Sequence, residues 1–360
     1  MSKTSPLHEE HVRAGAKLTD FAGWDMPLVY PEGTIVEHKT VRSSAGLFDV
    51  THLGKLTLTG EGAEETLDRL LPGKVAKLRT GKAGYNVVLT PEGGVVDDLF
   101  VYKREGPDNF MVVPNAANTD AVLEFLRSNS GPGIEITDAR QRWAILALSG
   151  PKVREIVAAL LPDAENMKMH DFVERPVQGM QTIVARTGYT GEVTYEFFVE
   201  WDEAVEFWNL LLKAGKPYGI KPAGLGARDT LRLEMGYALH GHELSVDINP
   251  LEGGVGWLID WDKEFLLKDV LVRIKQEGLK RKLVGLVAEP GRVPRAGHQV
   301  FLGEVPVGEV TSGNFSPVLG TGIALALVSV DHSAPGTSLQ IDVRGRKLPV
   351  EVTKPPFKKS

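Results

Sequence analysis

The sequence predicts an α+β protein that ends in a small all-β domain. Three observations carry this. Up to about residue 276, strand-like and helix-like segments mix without the strict alternation that builds a parallel sheet. From Arg281 the texture changes: short apolar runs (LVGLVA, QVFL, IALALVSV, LQIDV) alternate with Gly/Pro turns to the end, the pattern of a small antiparallel barrel or sandwich. And 360 residues are too many for one ordinary core, so two or three domains are expected. The change of texture places a boundary at 276–281, giving domains of 1–278 and 279–360.

Taken in order, Ser5-Pro6 reads as an N-cap with proline at the first helical position, opening a short helix to about Ala14. Residues 21–31, FAGWDMPLVYP, are aromatic and proline-bearing, hence irregular. Thr34 and Glu37 form a T-x-x-E capping box for a helix that Gly46 ends. LFDVTHLGKLTLTG, 47–60, reads as strand, with alternation at 55–59. An amphipathic helix over 63–71 stops at Pro72-Gly73. Strand-like runs follow at 85–89, 95–103 and 110–113, joined by the turn segments TPEGG and EGPDN. A helix covers 121–127, strands 134–137 and 143–149, and Gly150-Pro151 starts a helix to Leu161. Residues 180–186 and 194–199 read as strands and 204–212 as helix. Further on, 240–250 and 252–256 read as loop, 257–261 as strand and 267–276 as helix.

Composition removes several function classes. Without cysteine there are no disulfides, thiolate nucleophiles or Cys-ligated zinc or iron–sulfur sites. A net charge of −6 argues against general nucleic-acid binding. No run approaches a membrane span, and MSKTSPLHEE lacks the apolar core of a signal peptide. A cytoplasmic protein is expected, or an organelle-matrix one whose transit segment has been removed. Charge is uneven: residues 276–360 carry 11 Lys and Arg against 7 Asp and Glu, a net +4, leaving −10 on the remainder. A basic C-terminal piece on an acidic body suits an acidic partner.

Chemistry can sit in three stretches. Residues 221–241, KPAGLGARDTLRLEMGYALHG, place Gly224 and Gly226 before a run of helix formers, with Arg228 in the first turn and Arg232 on the same face. A cation at a helix start opposes the dipole, so Arg228 is either placed for a carboxylate or phosphate or simply paired with Asp229 or Glu234. In GGVVDDLFVY, Asp97 and Asp98 begin an apolar strand, and alternation sends them to opposite faces, so they cannot form a dyad. In ARTGYTGEVTYEF, Glu196 is a carboxylate in a β-branched and aromatic setting that needs partners. It serves either as a structural mate for an arginine or as a grip on the donor groups of a heterocycle. His8 and His11, and His240 and His242, lack any metal-binding frame, so no metal is expected. LSGP at 148–151 lacks the frame of a serine nucleophile, and Gly224–Gly226 lack dinucleotide-binding spacing.

Together FAGWDMPL, GLFDVTHLGK, GGVVDDL, ARTGYTGE, PAGLGARDTLRLE and TSGNFSP (311–317) resemble the T-protein family of the glycine cleavage system, from about Pro6 to Phe357. The resemblance implies two α+β lobes enclosing a folate site, plus a C-terminal antiparallel β-barrel. It implies an aminomethyltransferase that takes the carbon of an S–CH2–NH2 group from the lipoylated H protein to tetrahydrofolate, releasing ammonia, with no metal and no flavin. Carried over by motif, Asp98 matches the family's key aspartate and Glu196 its pterin-holding glutamate. Tyr189 and Tyr85 match folate-lining tyrosines. Arg228 matches an arginine that meets the folate tail or nearby polar groups, which favours an anion site in the 221–241 stretch. Tyr237 and Asn115 match further lining positions. Leu53 stands where the family usually has Met, an apolar exchange. The family's C-terminal folate contact could fall here only to Lys358 or Lys359.

Relatives offer rival readings. Folate-dependent sarcosine and dimethylglycine oxidases need a flavin domain for which 360 residues leave no room, and a folate-binding helper of iron–sulfur assembly uses a Cys motif. A folate-dependent demethylase of another amine and a non-catalytic folate-binding module are the remaining alternatives.

Overall fold

The structure is a computed structural model and describes residues 2–358; Lys359 lies outside them. The chain divides into two compact units. The first comprises Met1–Leu70, Lys74–Asn86 and Leu99–Asp229, the second Leu71–Gly73, Val87–Asp98 and Thr230–Ser360.

The first unit is built on a six-stranded sheet in the order Phe172–Glu174, Thr182–Ala185, Thr194–Glu200, Trp143–Ser149, Gly46–Asp49, Lys221–Pro222. Its inner strand WAILALS is buried at every residue, as a continuous apolar run requires, and pairs antiparallel on both sides, Ala147 lying opposite Glu196 and Phe48. Helices Val153–Leu160 and Ala204–Gly215 supply Ile156, Val157, Phe207 and Leu211 to its core. A five-stranded sheet runs in the order Lys82–Leu89, Val95–Lys103, Asn109–Pro114, Leu56–Thr59, Glu135–Asp138.

In the second unit the barrel-or-sandwich alternative resolves to a closed six-stranded barrel. Its order is Arg281–Ala288, Thr321–Ser329, Val305–Ser316, Gln299–Leu302, Ser338–Asp342, Lys347–Thr353. Closure leaves no free edge. Alternating residues such as Val284, Leu286, Ala326, Val328, Val350 and Val352 fill the interior. Mixed sheets and helices followed by an antiparallel barrel make the chain α+β.

Local expectations fail in four places, each for a physical reason. Residues 21–31 are not irregular: Lys17–Phe21 and Trp24–Val29 form a hairpin. Ala22 (φ 54°) and Gly23 (φ 79°) make the positive-φ turn that suits strand twist, and a bulge opposite Lys17 and Leu18 accommodates Pro27. The capping box does not form. Helix Thr34–Ser43 starts from Gly33, and Glu37 instead accepts the N–H groups of Tyr30 (2.6 Å) and Gly224 (2.9 Å). Residues 47–60 are two strands in two different sheets, and Gly46, expected to end the preceding helix, already belongs to the first; a Cβ there would collide with Val41. Residues 257–261 are no strand. A 3₁₀ turn, Gly256–Leu258, replaces it, and consecutive burial of Leu258 and Ile259 breaks the alternation a strand needs. Among the described residues, no helix is long and apolar enough to cross a membrane.

Candidate active site

In the first unit, three of the expected residues come together around Glu196. The Thr194–Glu200 strand carries Glu196 into the sheet at 8% exposure. The Thr187 hydroxyl donates a short hydrogen bond to Glu196 Oε2. Its single hydrogen is then spent, so the Tyr102 hydroxyl, 3.2 Å away, must donate to Thr187 Oγ1. Oε1 of Glu196 accepts no hydrogen bond from the described residues, so half of this carboxylate's acceptor capacity is open. Burial pushes the carboxyl pKa up, while the Thr187 hydroxyl and the charge of Arg228 pull it back. The same burial, with the Glu196 charge, pushes the Tyr102 phenol well above its usual value.

Arg228 lies on helix Leu225–Met235 with its guanidinium 4.7 Å from the centre of the Tyr189 ring. Burial lowers its pKa; Glu196 and Tyr189 oppose that. Arg228 also acts on His52: burial and then the Arg228 charge hold this imidazole down to about 3, so it is neutral near pH 7. His52 Nδ1 is buried without a partner, and the ring sits edge-on to Phe21 at 5.2 Å.

The helix start ahead of Arg228 does hold an anion, but the chain supplies it: Glu37 takes Gly224 N–H. Gly224 and Gly226 serve close approach there. A Cβ on Gly224 would collide with the Leu28 carbonyl, and one on Gly226 would lie 2.8 Å from Thr34 Oγ1. The chain's own carboxylate thus takes the Gly224 amide, which leaves Arg228 as the group of this stretch that could meet a ligand. Arg232, one turn on, is 1% exposed and pairs with Glu243 at 2.9 Å.

Tyr85 is half-buried, its ring 5.5 Å from Phe100, which in turn approaches Tyr102 at 6.3 Å and His170 at 5.6 Å. Asn115 follows the Asn109–Pro114 strand, half-buried, and its carbonyl accepts the Thr119 hydroxyl at 2.9 Å. Leu53 is half-buried in the turn after Val50.

In the second unit, alternation along Val95–Lys103 separates the two aspartates as expected: Asp97 is fully buried and Asp98 half-buried. Tyr237 is 36% exposed, just past the turn at Gly236 (φ 70°) that ends the Arg228 helix. A cleft of about 480 Å³ beside the barrel, lined by His242, Lys280, Arg281 and Thr311 among others, contains none of the expected site residues. Among the described residues no group of three or more His, Asp or Glu is placed to hold a metal.

Thr187, Tyr102 and His52 escaped the sequence reading. Signals existed for the first two: Thr187 opens the same TGYTGE motif as Tyr189, and Tyr102 shares the strand parity of Asp98.

Comparison with known proteins supplies the family. The GCVT N-terminal domain matches residues 7–263, and the glycine cleavage T-protein C-terminal barrel domain matches 281–359. The chain belongs to the glycine cleavage T-protein family of aminomethyltransferases. It is 41% identical over 357 residues to an aminomethyltransferase of Halothermothrix orenii, covering 99% of each chain. It is 44% identical over 358 residues to one of Mycobacterium avium, covering 98% of this chain and 96% of that one. The crystal structure of glycine cleavage system aminomethyltransferase T from Bartonella henselae is similar with a TM-score of 0.93 at 33% identity, covering 99% of this chain and 98% of that one. The family is a tetrahydrofolate-dependent one, with folate as co-substrate.

Proposed function

We propose that this chain moves the one-carbon unit of an aminomethyl group, held as S–CH2–NH2 on the dihydrolipoyl arm of the H protein, to tetrahydrofolate. The C–N and C–S bonds of the donor break, ammonia and dihydrolipoyl H protein leave, and the carbon bridges two folate nitrogens as 5,10-methylenetetrahydrofolate. The observation that carries this reading is the full-length kinship, in domain order, with aminomethyltransferases. On it, residues 1–278 bind folate and 279–360 form the barrel domain. The reaction uses no metal and no flavin, and runs in the cytoplasm or an organelle matrix.

Residue roles follow from the family resemblance, and chemistry supports them. Loss of ammonia leaves a sulfur-stabilised, thionium-like carbon, which an ionised carboxylate stabilises. The attacking folate nitrogen must shed a proton, which the same carboxylate can orient and accept. Asp98 takes this role, being the member of its pair on the more accessible face. Glu196 holds the donor edge of the pterin through its open oxygen; Thr187 fixes the other. Arg228, stacked on Tyr189 and coupled electrostatically to Glu196, orders that pocket or meets the folate tail. Tyr85, Asn115 and Tyr237 line the ligand.

The test is turnover. Lipoylated, aminomethylated H protein should yield ammonia and methylenetetrahydrofolate in equal amounts, and free methylamines should not react. Reaction only with a free amine would make the chain a demethylase, and folate binding without turnover would make it a binding module.

A further inference from the structure

The turn 237–246 grips the start of the strand that carries Asp98. Val95 donates its N–H to Ser245 O at 2.8 Å, and its carbonyl lies 3.0 Å from His240 Nε2. A carbonyl can only accept, so the His240 proton resides on Nε2. Gly94, one residue earlier, is gripped as well: its N–H reaches Thr90 Oγ1 at 3.0 Å, and a Cβ on it would collide with the Val246 carbonyl.

The turn is itself held rigidly. Glu243, fully buried, accepts from Arg232 Nη1 (2.9 Å), Leu239 N–H (3.0 Å) and the Thr311 hydroxyl (2.5 Å). Arg232 also donates to the Tyr237 carbonyl at 3.1 Å and to Ser312 Oγ at 2.7 Å. His242 Nδ1 donates to Thr311 O at 2.8 Å. Both ends of the turn are therefore fixed, one to the barrel strand Val305–Ser316 and the other to Val95.

We propose that His240 is a positioning residue for the reaction: through its hydrogen bond to Val95 it sets the place of Asp98, three residues along a stiff strand. The inference rests on the assignment of Asp98 under Proposed function. A strand advances about 3.3 Å per residue with little slack, so loosening Val95 displaces Asp98, the fourth residue of the strand. Misplacing a reacting group by about 1 Å can cost up to about 10²-fold in rate. His240 is half-buried, and its removal takes one donor from the carbonyl of the buried Val95, which the conservative variant below restores.

The experiment compares His240→Ala and His240→Gln in the wild-type and Asp98→Asn backgrounds, reading kcat, tetrahydrofolate Kd and Tm. His240→Ala should lower kcat about tenfold, with Kd changed by less than about threefold and the melting transition retained. His240→Gln keeps an N–H donor and should recover most of the rate. In the Asp98→Asn background His240→Ala should have almost no further effect, because the group it places is already gone. A full loss from His240→Ala on top of Asp98→Asn, or a loss confined to Kd or Tm, would overturn the proposal. A normal kcat for Asp98→Asn alone would instead overturn the Asp98 assignment.

Discussion

At Asp98 the informative change keeps size and removes charge. Asp98→Asn should retain the fold and much of the folate affinity while losing about 10²–10⁴ in rate, the usual contribution of a general acid–base group. Asp97→Asn should spare the rate and lower the melting temperature, because Asp97 is fully buried. Kinetics and melts on both variants check this, and a dead Asp97→Asn would reverse the roles. Glu196→Ala should weaken tetrahydrofolate binding well over tenfold, since losing a buried charged partner costs about 2–5 kcal/mol; unchanged affinity by calorimetry would leave Glu196 a structural role. His52 gives a pH prediction. Its folded pKa lies near 3, below its ordinary value of 6.5, so between these values only the unfolded chain binds the proton. Stability from this group is complete above pH 6.5 and falls as pH drops toward 3. Wild type should thus lose about 2 kcal/mol relative to His52→Gln between pH 6.5 and about pH 4.5, measured by urea titration. At this scale the sequence revealed residues whose chemistry is locally out of place, such as Glu196 in an aromatic strand. It did not reveal Thr187, whose hydroxyl matters only because the fold brings it to Glu196.

The elements divide along the same line. Long periodic segments stood where their patterns put them: Ala63–Leu70, Trp143–Ser149, Ala204–Gly215 and the barrel strands. Short ones did not, because their signals compete with tertiary partners. Thr34 and Glu37 have the spacing of a capping box, yet the carboxylate joins two other segments. This suggests a stability test. Glu37→Ala strands two buried N–H groups, at about 1–3 kcal/mol each, and should lower unfolding free energy by about 2–6 kcal/mol. Glu37→Gln offers one acceptor oxygen where the carboxylate used both, so it should restore about half of the loss. Equal effects of the two variants in chemical denaturation would show that charge, and not acceptor count, holds this junction. The Trp24–Val29 hairpin was hidden for a related reason. Proline and aromatic residues suggested irregularity, whereas the turn at Ala22-Gly23 has the backbone geometry that decides the matter. That geometry is a property of φ, which composition at one alanine does not announce.

Over the whole chain, the sequence gives away charge more directly than it gives away contacts. The +4 of residues 276–360 against −10 elsewhere is a count, and it suits an acidic lipoyl carrier. The structure narrows which cations can serve. Arg281 is committed to Glu252 at 3.2 Å and to the Asp247 carbonyl at 2.9 Å, and Lys347 lies over the Phe301 ring. Lys280, Lys282, Arg344 and Arg346 are exposed and better able to steer a partner. Exposed charges act through the Debye length, about 10 Å at 0.1 M salt, so their help fades as salt rises. The kcat/KM for aminomethylated H protein should therefore fall between low and moderate salt, while kcat at saturating carrier stays nearly constant. Reversing Lys280 and Lys282 to Glu should flatten the salt profile if that pair does the steering, and reversing Arg344 and Arg346 should flatten it if the hairpin turn does. Free tetrahydrofolate affinity should move little in either variant, because neither pair belongs to the Glu196 pocket. A profile already flat in the wild type would mean that the carrier is recognised by shape and burial instead of by the charge of the barrel domain.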